Sequence, residues 1–167
     1  MTHTRRYRIK DTLVAYHHLF IVSDDEDKTI YIFHNQYDKL GHTLILMDSS
    51  GTVLINIRQI SQIHITFDIY AVDDNEHHNN LLGVVRRRGP PWHHKYIIES
   101  VYGEYTIDRT GKLHSHEYKL MQDQQSIAKI HQEDQESGQL ASIEIAEDVD
   151  KKKDPFVLTL VMIQLSL

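Results

Sequence analysis

The chain has 167 residues, no cysteine, and 18 Lys and Arg against 24 Asp and Glu, so its formal net charge is 18 − 24 = −6. This length predicts one domain, spanning 1–167, and the lack of cysteine excludes disulfides, zinc–thiolate sites and cysteine nucleophiles. The acidic balance argues against a nucleic-acid-binding protein, because such proteins usually present a strongly basic face.

Targeting and membrane-spanning segments are not expected from the pattern of apolar residues. The basic start of the chain is not followed by the apolar run of a secretory signal. The longest apolar stretch is Phe156–Leu165, whereas a bilayer-spanning helix needs about 20 residues. We therefore expect a soluble, cytoplasmic protein without a transmembrane span.

Apolar and polar residues alternate along most of the chain, which is the pattern of half-buried strands. The clearest case is 63–70, where Ile63, Ile65, Phe67 and Ile69 share one face. Turn residues separate the alternating runs, at Asp48–Gly51, Gly89–Pro91 and Arg109–Lys112. The predicted strands, about twelve, are 5–10, 14–22, 29–34, 42–48, 53–58, 63–70, 81–88, 94–100, 103–108, 116–122, 125–131 and 140–146. Many short strands without intervening helices favour a sandwich or a barrel.

The C-terminal segment departs from the period of two. Asp154-Pro155 is a helix-start signal, with Asp at the N-cap and Pro at the first helical position. The residues after it, Phe156–Leu165, are apolar on nearly every side, so a helix here must be buried all round. A buried strand remains the alternative, since periodicity does not distinguish the two.

Three segments in consistent order resemble the LURP-one-related family of the tubby C-terminal-like superfamily, to which the phospholipid scramblases are related. They are Leu44–Gln59, the hairpin that joins Phe67–Tyr70 to Leu82–Arg88, and Ile143–Leu165. The chain departs from the family pattern at its end, Gln164–Leu167, and in the polar segment 131–138. The resemblance implies a mainly β (α+β) fold, a closed antiparallel barrel of about twelve strands around a buried C-terminal helix.

The basic cluster of Arg86, Arg87 and Arg88, together with Lys95, is the candidate binding site. On a strand Arg86 and Arg88 share a face while Arg87 points the other way. Two guanidinium groups on one face suit a phosphate group. Because tubby-like domains bind phosphoinositides, the resemblance implies an anionic lipid headgroup as ligand. The alternative is that these are solvated side chains on the barrel surface.

Two further groups of residues are candidates for a binding site. The basic residues of the first strand, Arg5, Arg6, Arg8 and Lys10, either extend such a patch or lie on a solvated edge strand. The chain has 13 histidines, of which His114 and His116 have the spacing of residues on one strand face. Zinc would need one or two more ligands, so no metal site is predicted.

Signatures of enzymes and nucleotide-binding loops are absent from the sequence. We predict a non-enzymatic binding module without a cofactor, peripheral at a membrane and engaging phosphoinositides or other anionic headgroups. One alternative is a protein-interaction or structural module without a small ligand. The other is a scramblase-like protein, which would need a membrane span or a lipid anchor, and no cysteine is present for palmitoylation.

Overall fold

The computed structural model of the chain describes residues 4–14, 17–38, 41–61, 65–72, 79–88, 95–110, 116–133 and 139–166. These residues form twelve β-strands, a short 3₁₀ turn and one α-helix. The strands are β1 (Arg5–Val14), β2 (His17–Ser23), β3 (Thr29–Asp38), β4 (Gly41–Asp48), β5 (Val53–Ser61), β6 (Thr66–Val72), β7 (Asn79–Arg88), β8 (Lys95–Ser100), β9 (Gly103–Arg109), β10 (Glu117–Gln122), β11 (Gln125–Gln132) and β12 (Gln139–Ile145). The 3₁₀ turn is Lys151–Lys153, and the helix α1 is Asp154–Ser166.

The strands form a closed antiparallel barrel in which each strand pairs with the next along the chain. The barrel closes between β1 and β12, where Arg5 lies opposite Ile145 and Tyr7 opposite Ile143. Closure removes the unpaired edges that would otherwise template aggregation. The predicted barrel with a C-terminal helix is confirmed.

Alternation of side chains builds the core, because residues two apart on a strand share a face. On β5, Ile55 and Ile57 are buried while Arg58 is exposed. Several predicted boundaries are wrong: Val14 belongs to β1 and not to β2, β3 continues to Asp38, and β6 begins at Thr66. Residue 65, predicted within that strand, lies in a turn with φ of 21°.

The predicted turn after β4 is present and is held by the carboxylate of Asp48. One oxygen of Asp48 accepts hydrogen bonds from the backbone N–H groups of Ser50 and Thr52, both at 3.0 Å. Gly51 has φ of +89°, a conformation that side chains disfavour. The predicted breaks at Gly89–Pro91 and within Arg109–Lys112 lie wholly or partly outside the described residues.

The helix α1 fills the barrel. An eight-stranded barrel is filled by its own side chains, so a ring of twelve strands leaves an interior wide enough for a helix. From Phe156 to Ile163 every residue of α1 is at most 2% exposed. The ring of Phe156 packs edge-on against Tyr102, with centroids 5.1 Å apart. Burial on all sides explains why this segment is apolar without a polar stripe.

The start of α1 is fixed by a buried carboxylate. Asp154 is fully buried, and it accepts hydrogen bonds from Arg5 Nε and Nη2, both at 2.8 Å, and from the Tyr7 hydroxyl at 2.6 Å. Arg5 Nη2 also donates to the carbonyl of Val149 at 2.7 Å. The prediction of Asp154 as an N-cap is wrong, since its φ and ψ are −54° and −44°, which are helical. Its carboxylate instead joins the helix to β1.

The electrostatics of this contact favour the neutral phenol and the charged guanidinium. Burial, and then the hydrogen bond to Asp154, raise the pKa of Tyr7 well above its ordinary value of 10. The hydrogen bond to Asp154 is the main reason why the pKa of Arg5 is raised, although burial opposes the rise. We name Arg5, Tyr7 and Asp154 the anchor triad.

Replacing Tyr7 with Phe should remove a stabilising term that depends on alkaline pH. A raised folded-state pKa gives stability that is present below the unfolded value of 10 and lost as the pH rises through the folded value. Near neutral pH the wild type should exceed Tyr7→Phe in free energy of unfolding by about 1.5–3 kcal/mol, since the hydroxyl donates to a charged group. Denaturant unfolding of both proteins between about pH 7 and pH 11 measures this difference. It should be constant below pH 9 and shrink above pH 10; a constant difference up to pH 11 would contradict the assignment.

Candidate functional site

The basic residues of β7 and β8 lie on the outer surface of the barrel. Gly83 and Val85 are buried, which places them on the inner face of β7, while Arg86 and Arg88 are exposed. The register places Arg88 opposite Lys95 and Arg86 opposite Ile97. Three cationic side chains therefore share one outward face, as the parity of β7 predicted for Arg86 and Arg88.

Arg87 lies on the other face of β7. It is half-buried and stands opposite Tyr96, whose side chain is 2% exposed. Burial raises the pKa of the Tyr96 hydroxyl, and the nearby charge of Arg87 opposes that rise. Of the four predicted site residues, Arg86, Arg88 and Lys95 thus share the outward face of β7 and β8, whereas Arg87 has the parity of the inward face.

A groove of about 300 Å³ follows the basic residues, and we name it the basic groove. Val84 and Ile97 contribute apolar surface to it, and Glu99 contributes a carboxylate. Lys95 stands beside the groove and does not line it. The described residues that line it are Val84, Arg86, Arg87, Arg88, Ile97 and Glu99.

The charges that face the groove are not neutralised by any other side chain that the structure describes. Among the ion pairs and side-chain hydrogen bonds of the described residues, none involves Arg86, Arg88, Lys95 or Glu99. Unpaired guanidinium groups on one face retain their donors for an external anion. Sequence reasoning missed Glu99, because its membership depends on the pairing register of β8 with β7.

The basic residues of β1 do not extend this groove. Arg5 binds Asp154, Arg6 pairs with Glu144 at 3.3 Å, and Arg8 pairs with Asp27 at 3.5 Å. In the ring of twelve strands β1 and β7 are six positions apart, on opposite sides of the barrel. The prediction of a joint patch is therefore wrong, and so is the alternative of an edge strand, because β1 is paired on both sides.

Acidic and histidine-rich segments show no grouping of metal ligands in the part of the chain that the structure describes. Asp24 accepts hydrogen bonds from the backbone N–H groups of Glu26 and Lys28, so this carboxylate holds a turn. Asp150 similarly accepts from the backbone N–H of Lys152. His114, which with His116 had the best spacing for a metal, lies outside the described residues.

The comparison with protein families is decisive for identity. A family model described as LURP-one-related matches residues 5–164, which is nearly the whole barrel and α1. The chain belongs to the LURP-one-related family. No curated protein matches the chain in a sequence search. Within the described ranges, the LURP-one-related barrel contains no helix with the length and apolar character needed to cross a membrane.

Replacing the exposed arginines should leave the fold intact, which makes them suitable probes of function. Arg86→Gln and Arg88→Gln should each change the free energy of unfolding by less than about 0.5 kcal/mol, as expected for exposed side chains without partners. Arg87→Gln should cost about 1 kcal/mol or more, because its side chain is half-buried near Tyr96. Urea unfolding of the three variants measures this. Equal costs at all three positions would contradict the assigned faces.

Proposed function

We propose that this LURP-one-related barrel is a non-enzymatic module that binds anionic phospholipid headgroups, phosphoinositides or others, peripherally at a membrane face. The observation that carries the proposal is the set of three cations, Arg86, Arg88 and Lys95, which share one outward face and form no ion pair with another described residue. Each guanidinium group can donate two parallel hydrogen bonds to the oxygens of a phosphate group.

The interior of the barrel supports an outer rather than an inner site. Residues of α1 occupy the space in which many barrels hold a ligand, and from Phe156 to Ile163 they are at most 2% exposed. A ligand of the size of a lipid headgroup would have to displace this helix. On the outer face of β7 and β8 a ligand can contact cationic side chains without displacing α1.

The net charge of −6 does not prevent this binding. The Debye length is about 8 Å at physiological ionic strength, so only charges near the contact act strongly on a membrane. On the outward face of β7 and β8, Arg86, Arg88 and Lys95 against Glu99 give 3 − 1 = +2. Each basic residue near an anionic surface contributes about 1 kcal/mol. Specific contacts between the groove and a phosphate must therefore supply the rest of the affinity.

Vesicle flotation tests the proposal with one variant and one matched control. The variant Arg86→Gln/Arg88→Gln/Lys95→Gln should lower the partition coefficient onto phosphoinositide-containing vesicles by about 100-fold at physiological salt, since three charges at about 1 kcal/mol each are lost. The control Lys119→Gln/Lys129→Gln/Lys152→Gln removes the same charge elsewhere, and its binding should stay within about threefold of the wild type.

Two outcomes would contradict the proposal. Equal losses in the variant and in the control would mean that overall charge, not the basic groove, governs attachment to the membrane. Absence of binding by the wild-type protein to any anionic vesicle would remove the lipid proposal and favour a protein-interaction module.

A further inference from the structure

The two ends of the basic groove carry opposite charges. Arg86 and Arg88 stand at one end, and Glu99 stands at the other, where it lies opposite Val84 in the ladder. Val84 stands beside Glu99 and Ile97 beside Arg86, on either side of the line that joins Arg86 to Glu99. Two residues along a strand cover about 7 Å, so Arg86 is about this far from the level of Glu99.

Glu99 differs from the carboxylate on the other side of Val84. Asp68 also lies opposite Val84, across the ladder with β6, but it accepts a hydrogen bond from the Tyr70 hydroxyl at 3.0 Å and faces Arg58. Glu99 makes no hydrogen bond or ion pair with another described side chain, and its neighbour on β9 is a second carboxylate, Glu104. Like charges directly opposite one another are unfavourable on a sheet, so this position favours a cation.

The backbone holds Glu99 firmly at its end of the groove. A Cβ on Gly83 would meet the carbonyl oxygen of Glu99 and the Cβ of Ser100, both at 3.0 Å, so the two strands approach closely here. Ser100 begins a tight turn in which its hydroxyl donates to the carbonyl of Gly103 at 2.7 Å. The carboxylate is therefore set on a rigid ladder and not on a mobile loop.

We propose that Glu99 is a specificity-determining residue that selects anionic phospholipids carrying an ammonium group beside the phosphate, as phosphatidylserine does. This inference rests on the proposed function. The phosphate binds between Arg86 and Arg88, the ammonium group binds Glu99, and the short carbon link passes between Val84 and Ile97. A headgroup whose remaining groups are neutral leaves Glu99 without a cationic partner.

Vesicles of phosphatidylserine and of phosphatidylinositol, each diluted equally in phosphatidylcholine, separate this selection from general electrostatics. Both headgroups carry one net negative charge at neutral pH, and only the first carries an ammonium group. The wild-type protein should bind the phosphatidylserine vesicles about tenfold more tightly, as expected for one charge-assisted contact. Glu99→Gln should abolish this preference, because it weakens binding to phosphatidylserine vesicles and strengthens binding to phosphatidylinositol vesicles.

Asp123→Asn is the matched control, because it removes the same charge from an exposed residue that does not line the basic groove. It should keep the preference. Equal binding of the two vesicles by the wild type, with loss of both in Arg86→Gln/Arg88→Gln/Lys95→Gln, would overturn the selection while leaving the proposed function standing. Failure of the wild type to bind anionic vesicles of any composition would overturn both.

A soluble ligand with the same chemistry is tested by titrating free O-phosphoserine into the protein. For a headgroup bound at a membrane surface, O-phosphoserine should displace the protein from phosphatidylserine vesicles only when it is in large excess over the vesicle lipid. Tight binding of O-phosphoserine without any binding of phosphatidylserine vesicles would overturn the assignment to a lipid.

Discussion

A single buried carboxylate ties the two ends of this chain together. Removing Asp154 from water carries a cost of several kcal/mol, which only close and well-directed partners offset. Arg5 and Tyr7 supply those partners from a strand 149 and 147 residues away in sequence. The positive end of the helix dipole adds a further favourable interaction with the charge at this position. The anchor triad thus fixes where α1 enters the barrel.

The rest of the structure depends on that entry point. β1 carries two members of the anchor triad and also closes the ring by pairing with β12. A helix held at its start extends through the barrel, where the inward residues of the strands bury it on all sides. Because α1 fills the interior, the outer face of the barrel is the surface available to a ligand. The closed ring also fixes the register of every pair of neighbouring strands. The basic groove follows from this register, since it sets Arg86 beside Ile97 and Val84 beside Glu99.

The sequence predicted those features that depend on local patterns. Alternation locates strands because side-chain direction repeats every two residues, and the same parity separates Arg87 from Arg86 and Arg88. An apolar segment without a polar stripe indicates complete burial. The pattern alone does not distinguish a helix from a strand in this segment, and the family resemblance implies the helix. Contacts between distant residues leave no such local pattern. The partner of Asp154 and the place of Glu99 in the groove both depend on pairing between strands.

A double-mutant cycle on Arg5 and Asp154 tests the central claim most directly. Arg5→Met, Asp154→Asn and the double variant are compared with the wild type by denaturant unfolding. Either single change leaves a buried polar group without its partner and should cost about 3–5 kcal/mol. The double variant should cost little more than the worse single one, which corresponds to a coupling energy of about 2 kcal/mol or more. Costs that add to within about 0.5 kcal/mol would show that the two residues act independently and would contradict the account.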